Sequence, residues 1–492
     1  MKRIVIALCL LAGLGSCQIY RTYQRPELPE VDSLFRQPVQ GADTTSLADL
    51  TWRELFTDSR LQRLIDSGIM NNSDLQIARL RVAEARASLT ASRLAYLPSL
   101  SLTPQGAVNA PEHAPATRTY DLAAAAEWEV DLFGKLLNEK RGAAAALAGQ
   151  EAYRQAVETQ LVATVANSYY TLLMLDRQLE ITRSTSEVWA ENVRVMEALK
   201  RAGQTTEMAV AQTVAQTVAQ TVAEQASVEA SVLALERQVL QTENALCVLL
   251  GTTPRTIDRS TLDAQRFPDS LAAGIPLRLV DRRPDVRQCE AALAEAYYAT
   301  NTARSAFYPS ITLGGTAGWT NAAGAAISNP GQWLFTAVGS LVEPLFARGR
   351  NRANLKIAQA QQQEALVNFR QSLLTAGAEV NDALVQWQTA RRRLELDNRQ
   401  VEALRSALRS AELLMQHSSQ NYLEVLTARQ SLLQAELDAA SDCFDKIQGI
   451  INLYHALGGG IESFVRVSAR GNGSSRLVVS LRTHRSLAED VW

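Results

Sequence analysis

The sequence predicts a mainly α chain with a small β part, built from long antiparallel coiled-coil helices and a few short strands. Three observations predict it. Proline is absent from Lys135 to Gly203 and again from Gly349 to Gly458. An uninterrupted helix of roughly 65 residues would be roughly 100 Å long. Just ahead of each proline-free stretch lie segments that alternate apolar and polar residues with a period of two, the mark of a strand with two different faces. Finally, the chain repeats itself. Tyr96-Leu97-Pro98-Ser99-Leu100-Ser101-Leu102 returns as Phe307-Tyr308-Pro309-Ser310-Ile311-Thr312-Leu313 (307 − 96 = 211). Asp131-Leu132-Phe133-Gly134-Lys135 returns as Pro344-Leu345-Phe346-Ala347-Arg348, and Leu249-Leu250-Gly251 as Ala456-Leu457-Gly458.

The elements follow in order. Lys2 and Arg3 precede the apolar run Ile4 to Leu14, the layout of a secretory signal over residues 1–16. Small residues lead into Cys17, as in a bacterial lipobox, which predicts cleavage before Cys17 and its acylation. Residues 17–57 are polar and carry Pro26, Pro29 and Pro38, so they read as an extended tether. Helical periodicity begins near Asp58 and opens a first repeat, 58–253. Within it Tyr120, Leu122, Ala124, Ala126, Trp128, Val130 and Leu132 alternate with Thr119, Asp121, Glu127, Glu129 and Asp131. That pattern suits a membrane barrel wall with lipid on one side and water on the other. Residues 254–280 contain Pro254, Pro268 and Pro276, a linker composition. The second repeat spans 281–460, and its residues 310–320 alternate similarly. Fainter strands fall near 99–108 and 331–346. Residues 461–492, rich in arginine, glycine and serine, read as a disordered tail.

No run of 18 or more apolar residues follows residue 20, so a helical membrane span is not expected. Four strands cannot close a barrel, and open edges in lipid are prohibitive. If these strands cross a membrane, several chains must share one barrel. The competing reading of the strands is a small soluble sheet. Net charge of −2 gives no reason to expect nucleic acid. His113, His417, His455 and His484 show no paired metal spacing, and no nucleophile or phosphate-loop motif occurs, so neither an enzyme nor a cofactor is expected. The methionines are scattered, which disfavours a Cu(I) path. Cys247, Cys289 and Cys443 read as small core residues.

Leu279-Val280-Asp281-Arg282-Arg283-Pro284-Asp285-Val286-Arg287, running on to Ala306-Phe307-Tyr308-Pro309-Ser310-Ile311, resembles the opening of the second repeat in TolC-like outer-membrane efflux proteins of the NodT/OprM lipoprotein type. Trp52-Arg53-Glu54-Leu55-Phe56, Asn72-Ser73-Asp74-Leu75, Glu129-Val130-Asp131-Leu132-Phe133-Gly134-Lys135 and Leu453-Tyr454-His455-Ala456-Leu457-Gly458-Gly459-Gly460 support the likeness. The resemblance implies a homotrimer with twelve strands in one transmembrane β-barrel and a trimeric helical tunnel in the periplasm. It implies a passive duct for drugs or other small toxic compounds, anchored in outer-membrane lipid. Its partners would be a periplasmic adaptor and an inner-membrane pump of the RND type. It places a closing gate at the tunnel tip, on Leu423, Glu424 and Thr427. Members of the family often carry acids at the positions of Glu424 and Thr427, and this chain departs at Thr427. The competing reading of Glu424 is a solvated coiled-coil charge. The competing reading of the whole chain is a periplasmic coiled-coil scaffold lipoprotein without a pore.

One feature lies outside the resemblance. Val210-Ala211-Gln212-Thr213 is followed by two further copies, through Thr221. Matching the two repeats leaves eight extra residues here, two tetrapeptide units. Eight residues turn an α-helix by two turns and roughly 80°. A bulge or break between Gly203 and Gln225 is therefore expected, with pairing restored by Leu235.

Overall fold

The computed structural model describes residues 20–26, 50–110, 112–113, 116–201, 208–267, 282–320, 332–417 and 422–459. The signal segment, Cys17, most of the tether, residues 268–281 and the tail lie outside the described residues. Three short helices come first: α1 (Trp52–Leu55), α2 (Ser59–Asn71) and α3 (Ser73–Leu94). Then follow β1 (Ser99–Asn109), β2 (Thr117–Val130), α4 (Lys135–Arg201) and α5 (Met208–Leu249). The second half repeats this order as α6 (Pro284–Ser305), β3 (Ser310–Thr320), β4 (Gln332–Val342), α7 (Arg350–His417) and α8 (Tyr422–Ala456). None of the described helices is long and apolar enough to cross a membrane.

The last residues assigned to the tether are already folded. Thr51 caps α1 and exchanges hydrogen bonds with Glu54, a capping box. Trp52, Leu55 and Phe56 are buried in the main core with Leu61, Tyr169, Tyr170 and Leu172. Part of the linker is pinned too. Ile257 and Leu262 are buried, and Arg259 forks onto Asp176 while also reaching Glu243.

The two long hairpins are antiparallel. On the first, Arg183 pairs with Glu236 at 2.6 Å, and Trp189 packs with Val228. On the second, Arg405 pairs with Glu436 at 2.8 Å and Glu412 with Arg429 at 2.6 Å. The return helices end alike. Gly251 and Gly458 have φ of 63° and 75°, and the amides beyond them reach back to Cys247 and Tyr454. These are left-handed C-caps, for which glycine is the low-strain choice. They explain why Leu-Leu-Gly returns as Ala-Leu-Gly. The helix starts correct one pairing made from sequence. Gly134, with φ of 73°, corresponds to Gly349, with φ of 79°, and not to Ala347.

Among the described residues the expected break at the tetrapeptide repeat is not there; residues 203–207 of the expected span lie outside them. Met208–Leu249 is one uninterrupted helix. Its inward positions Val218, Thr221, Val228, Leu235, Val239, Leu246 and Leu250 fall at intervals of three, four or seven residues, which keeps them on one helix face. On the second hairpin the paired residues centre on about residue 420, inside the link 418–421. On the first they centre on about residue 209, past the link 202–207. The return limb is thus longer by about eight residues, the size of the duplication. The extra turns sit at the free end, where the helix can start earlier without disturbing any pairing below it.

Candidate functional site: a two-faced sheet at one end of long hairpins

The four strands form one antiparallel sheet in the order β1-β2-β3-β4. Residues directly opposite one another share a face. The register therefore collects Leu100, Leu102, Leu122, Trp128, Val130, Ile311, Leu313, Trp319, Trp333, Phe335 and Leu341 on one side. The other side carries Ser99, Ser101, Thr103, Gln105, Asp121, Glu127, Glu129, Thr312, Thr316, Thr336 and Ser340. Leu334, Val338 and Val342 are apolar exceptions on that side. The apolar face is bare within one chain: Leu100 is 80 % exposed and Phe335 79 %. Such a patch needs a covering, lipid or protein.

Aromatic rings bracket the apolar face. Toward the helices, Trp128 donates its indole N–H to the Tyr96 carbonyl at 2.9 Å, and Phe133 stacks on Tyr308 with centroids 4.9 Å apart. Toward the far end, Trp319 packs on Trp333 at 4.6 Å. Leu122 opposes Trp319 in the register, so six residues of β2 separate the two aromatic levels, roughly 20 Å at 3.4 Å per residue. Girdled apolar bands of about this height mark membrane barrels. Strands β1, β3 and β4 have 11 residues each, the length a tilted strand needs to cross a bilayer. Gly318 lets β2 and β3 meet closely, since a Cβ there would lie 2.2 Å from the Leu122 carbonyl oxygen.

The acidic residues divide by role. Asp121, Glu127 and Glu129 share the polar face, and Glu129 holds Lys135 Nζ at 2.9 Å. Asp131 lies one residue beyond the end of β2. Its Oδ2 accepts the Leu137 amide at 2.8 Å, in the first turn of α4. At the opposite end of the second hairpin, Glu424 and Thr427 are exposed on one face of α8, while Val425 and Leu426 are buried on the other. The backbone of Leu423 belongs to α8, and its side chain lies outside what the structure describes.

The Arg-Arg-Pro-Asp segment has a mechanical role. Pro284 starts α6, and the Arg283 side chain, 4 % exposed, forks onto Asp285 and reaches Glu379 at 2.6 Å. It also donates to the Ala456 carbonyl at 3.0 Å, which closes the end of the second repeat onto its beginning. Burial works against the charge, but Asp285 and Glu379 outweigh it and hold the guanidinium above its usual pKa range. Burial, with Arg283 close by, pushes the His455 imidazole down. In the first repeat the equivalent position is Asn72, which donates to the Leu249 carbonyl at 3.0 Å and caps α3 through the Leu75 amide. Sequence reasoning missed this pair of latches. The same offset of 211 that aligned the strands links Asn72 to Arg283 and could have found it.

A family model described as outer membrane efflux protein matches residues 64–252 and again 276–459, once per repeat. The cation efflux system protein CusC of Escherichia coli K12 is 30% identical over 464 residues, covering 93% of this chain and 99% of its own. The toluene efflux pump outer membrane protein TtgC of Pseudomonas putida is 30% identical over 478 residues, covering 94% and 96%. The open state of the Neisseria gonorrhoeae MtrE outer membrane channel matches the fold with a TM-score of 0.80 at 26% identity, covering 90% of this chain and 98% of that one. With a repeated core, a girdled apolar sheet and these likenesses together, the chain belongs to the outer membrane efflux protein family and is a channel component of an efflux system in the outer membrane.

Proposed function

We propose that three copies close one twelve-stranded barrel and one helical tunnel, a passive duct that takes drugs or other small toxic compounds from an inner-membrane pump to the exterior. The carrying observation is the open sheet. It has one apolar and one polar face, and among the described residues no strand of the same chain pairs with the outer edge of β1 or β4. Free edges in lipid leave several polar backbone groups unsatisfied, and a closed ring of copies removes them. Two exposed apolar stripes support the same association, Leu233, Leu240 and Val248 on α5, and Val367, Leu374, Val385 and Leu396 on α7.

A periplasmic adaptor and an RND-type pump complete this reading. TtgC is named for toluene and CusC for cations at equal identity, so overall likeness does not choose the cargo. Asp121, Glu127 and Glu129 on the water face favour cationic compounds over anions. Acylation of Cys17 fits the N-terminal strap. Tyr23 packs on Val286 and Phe369, and Tyr20 lies over Gly134, where a Cβ would meet its ring at 3.5 Å. Cys17 is three residues away, a reach of roughly 10 Å. Acyl chains there would enter lipid beside the inner aromatic level.

The gate reading rests on Leu423, Glu424 and Thr427 at the hairpin end, with Glu424 and Thr427 turned away from their own core. Three copies of Glu424 on one axis would repel each other and attract cations. Purified full-length protein in planar bilayers tests duct and gate together. The expected unit of conductance is a three-chain particle, and Leu423→Ala with Glu424→Ala raises its single-channel conductance. A stable monomer that becomes soluble once Cys17 is removed would favour the scaffold reading. Unchanged conductance in an assembled trimer would remove these residues from the gate.

A further inference from the structure

The exposed face of α8 that begins with Glu424 and Thr427 continues through Ser431, Gln434 and Asp438 to Ser441, in steps of three and four residues. Along it the two hairpins leave a recess of about 870 Å³, walled by α5 and α8 with α4 behind. That volume suits a bound small molecule. Its floor is apolar, with Val228, Leu235 and Leu433. Its walls carry amides and hydroxyls, Ser231 and Gln238 on α5, Gln430 and Gln434 on α8. Two acids complete them, Glu224 on α5 and Asp438 on α8, and among the described residues no lysine, arginine or histidine lines the recess. Arg183 and Arg429 on the flanking helices are engaged by Glu236 and Glu412. Gln434 donates to Asp438 Oδ1 at 2.8 Å. Trp189 of α4 also lines the recess. It is 1 % exposed, and its indole N–H has no hydrogen-bond partner among the described residues. A buried indole N–H ordinarily finds an acceptor. The return helices end alike at Gly251 and Gly458 (458 − 251 = 207), so Glu224 is level with Ser431. Asp438 lies two turns farther from the hairpin end, roughly 10 Å along the groove.

We propose that this recess binds a polyhydroxylated amine, an amino sugar with at least two ammonium groups. Such a molecule is divided as the recess is. The C–H faces of its rings pack on the apolar floor, and its hydroxyls exchange hydrogen bonds with the amide and hydroxyl side chains. Its ammonium groups meet Glu224 and Asp438, and one of its oxygens accepts the Trp189 N–H. A purely apolar compound would leave the acids and amides unpaired, and an anion would meet two carboxylates with no cation beside them. The recess begins about one helical turn from Thr427 and runs roughly 15 Å along α8. That it opens into the tunnel, just behind the closing tip, rests on the gate reading of α8. The binding chemistry does not.

The test is calorimetric titration of the purified full-length protein with neomycin, an amino sugar with several amines. Physiological ionic strength screens attraction that is a matter of net charge alone. Saturable binding is expected. Glu224→Gln with Asp438→Asn should weaken it at least about tenfold, and Trp189→Phe about fivefold. Spermine, a linear amine without hydroxyls, should bind more weakly and be indifferent to Trp189→Phe. Should Trp189→Phe fail to assemble, Gln434→Ala on the exposed wall makes the same comparison. Absence of saturable neomycin binding would overturn the proposal, and so would binding that survives loss of both acids. Equal affinity for spermine and neomycin, with no effect of Trp189→Phe or Gln434→Ala, would also overturn it. In planar bilayers neomycin should block the current of the parent trimer, and about tenfold more should be needed for the variant lacking both acids. Binding without block would overturn the gate reading and leave the site standing.

Discussion

Arg283 shows how one side chain can tie a repeat shut. Its guanidinium meets two carboxylates and a helix-terminal carbonyl from a site that is 96 % hidden, while Asp285 and Glu379 are each 45 % exposed. Arg283→Met therefore removes a desolvated charge but leaves its acids partly hydrated. The expected loss is about 2 kcal/mol, below the range for a fully buried pair. Thermal unfolding should show a lower midpoint, with Arg283→Lys in between, because lysine keeps the charge and lacks the fork. An Arg283→Met protein as stable as the parent would mean that packing of Pro284 and Val286 alone holds the junction. Asn72 makes the matching contact in the first repeat with a neutral amide. Its loss should cost less, since a neutral hydrogen bond contributes about 1 kcal/mol.

At the scale of elements, the tetrapeptide duplication separates two kinds of insertion. Eight residues placed mid-hairpin would turn every contact beyond them by roughly 80°. Placed beside the free end, they lengthen one limb and leave the pairing of Arg183 with Glu236 intact. Each four-residue unit adds little more than one helical turn, so the repeat can continue as helix. Deleting Val214 to Thr221 should shorten α5 by two turns with no change in trimer content or export. Loss of assembly on that deletion would show that the extra turns carry contacts of their own. The sheet behaves differently. A one-residue slip of β2 would exchange Trp128 for Glu129 on the apolar face, so its register is strongly fixed.

For the whole molecule, the deciding quantity is what covers the apolar face of the sheet. A single chain leaves Leu100, Trp333 and Phe335 bare, which is costly in water and favourable in lipid. In the assembled duct, a cysteine at position 128 should react with lipid-soluble probes, and one at position 129 with small aqueous reagents entering the lumen. The reverse pattern would invert the barrel wall. Labelling of both positions by aqueous reagents would place the sheet in a soluble domain and sink the membrane reading.

Much of this architecture is written in linear patterns. Proline-free stretches, two-residue alternation and offsets near 211 all act through local geometry. They are visible without knowing which residues meet, and they specified the helices, the strands and their faces. The offset also marked where the repeats close, though not that Asn72 and Arg283 close them. What required the tertiary structure were matters of long-range register. Asp131 alternates perfectly with Glu129 in sequence, yet the strand ends at Val130 and the carboxylate turns to α4. The duplication reads as a disruption, yet its effect depends on where the hairpin turns, and only the pairing across the hairpin shows that. Arg393 and Asp442 look like ordinary helix charges 49 positions apart in the chain. Packing α8 against α7 brings them to 2.9 Å, because pairing is a property of two surfaces and not of either helix alone.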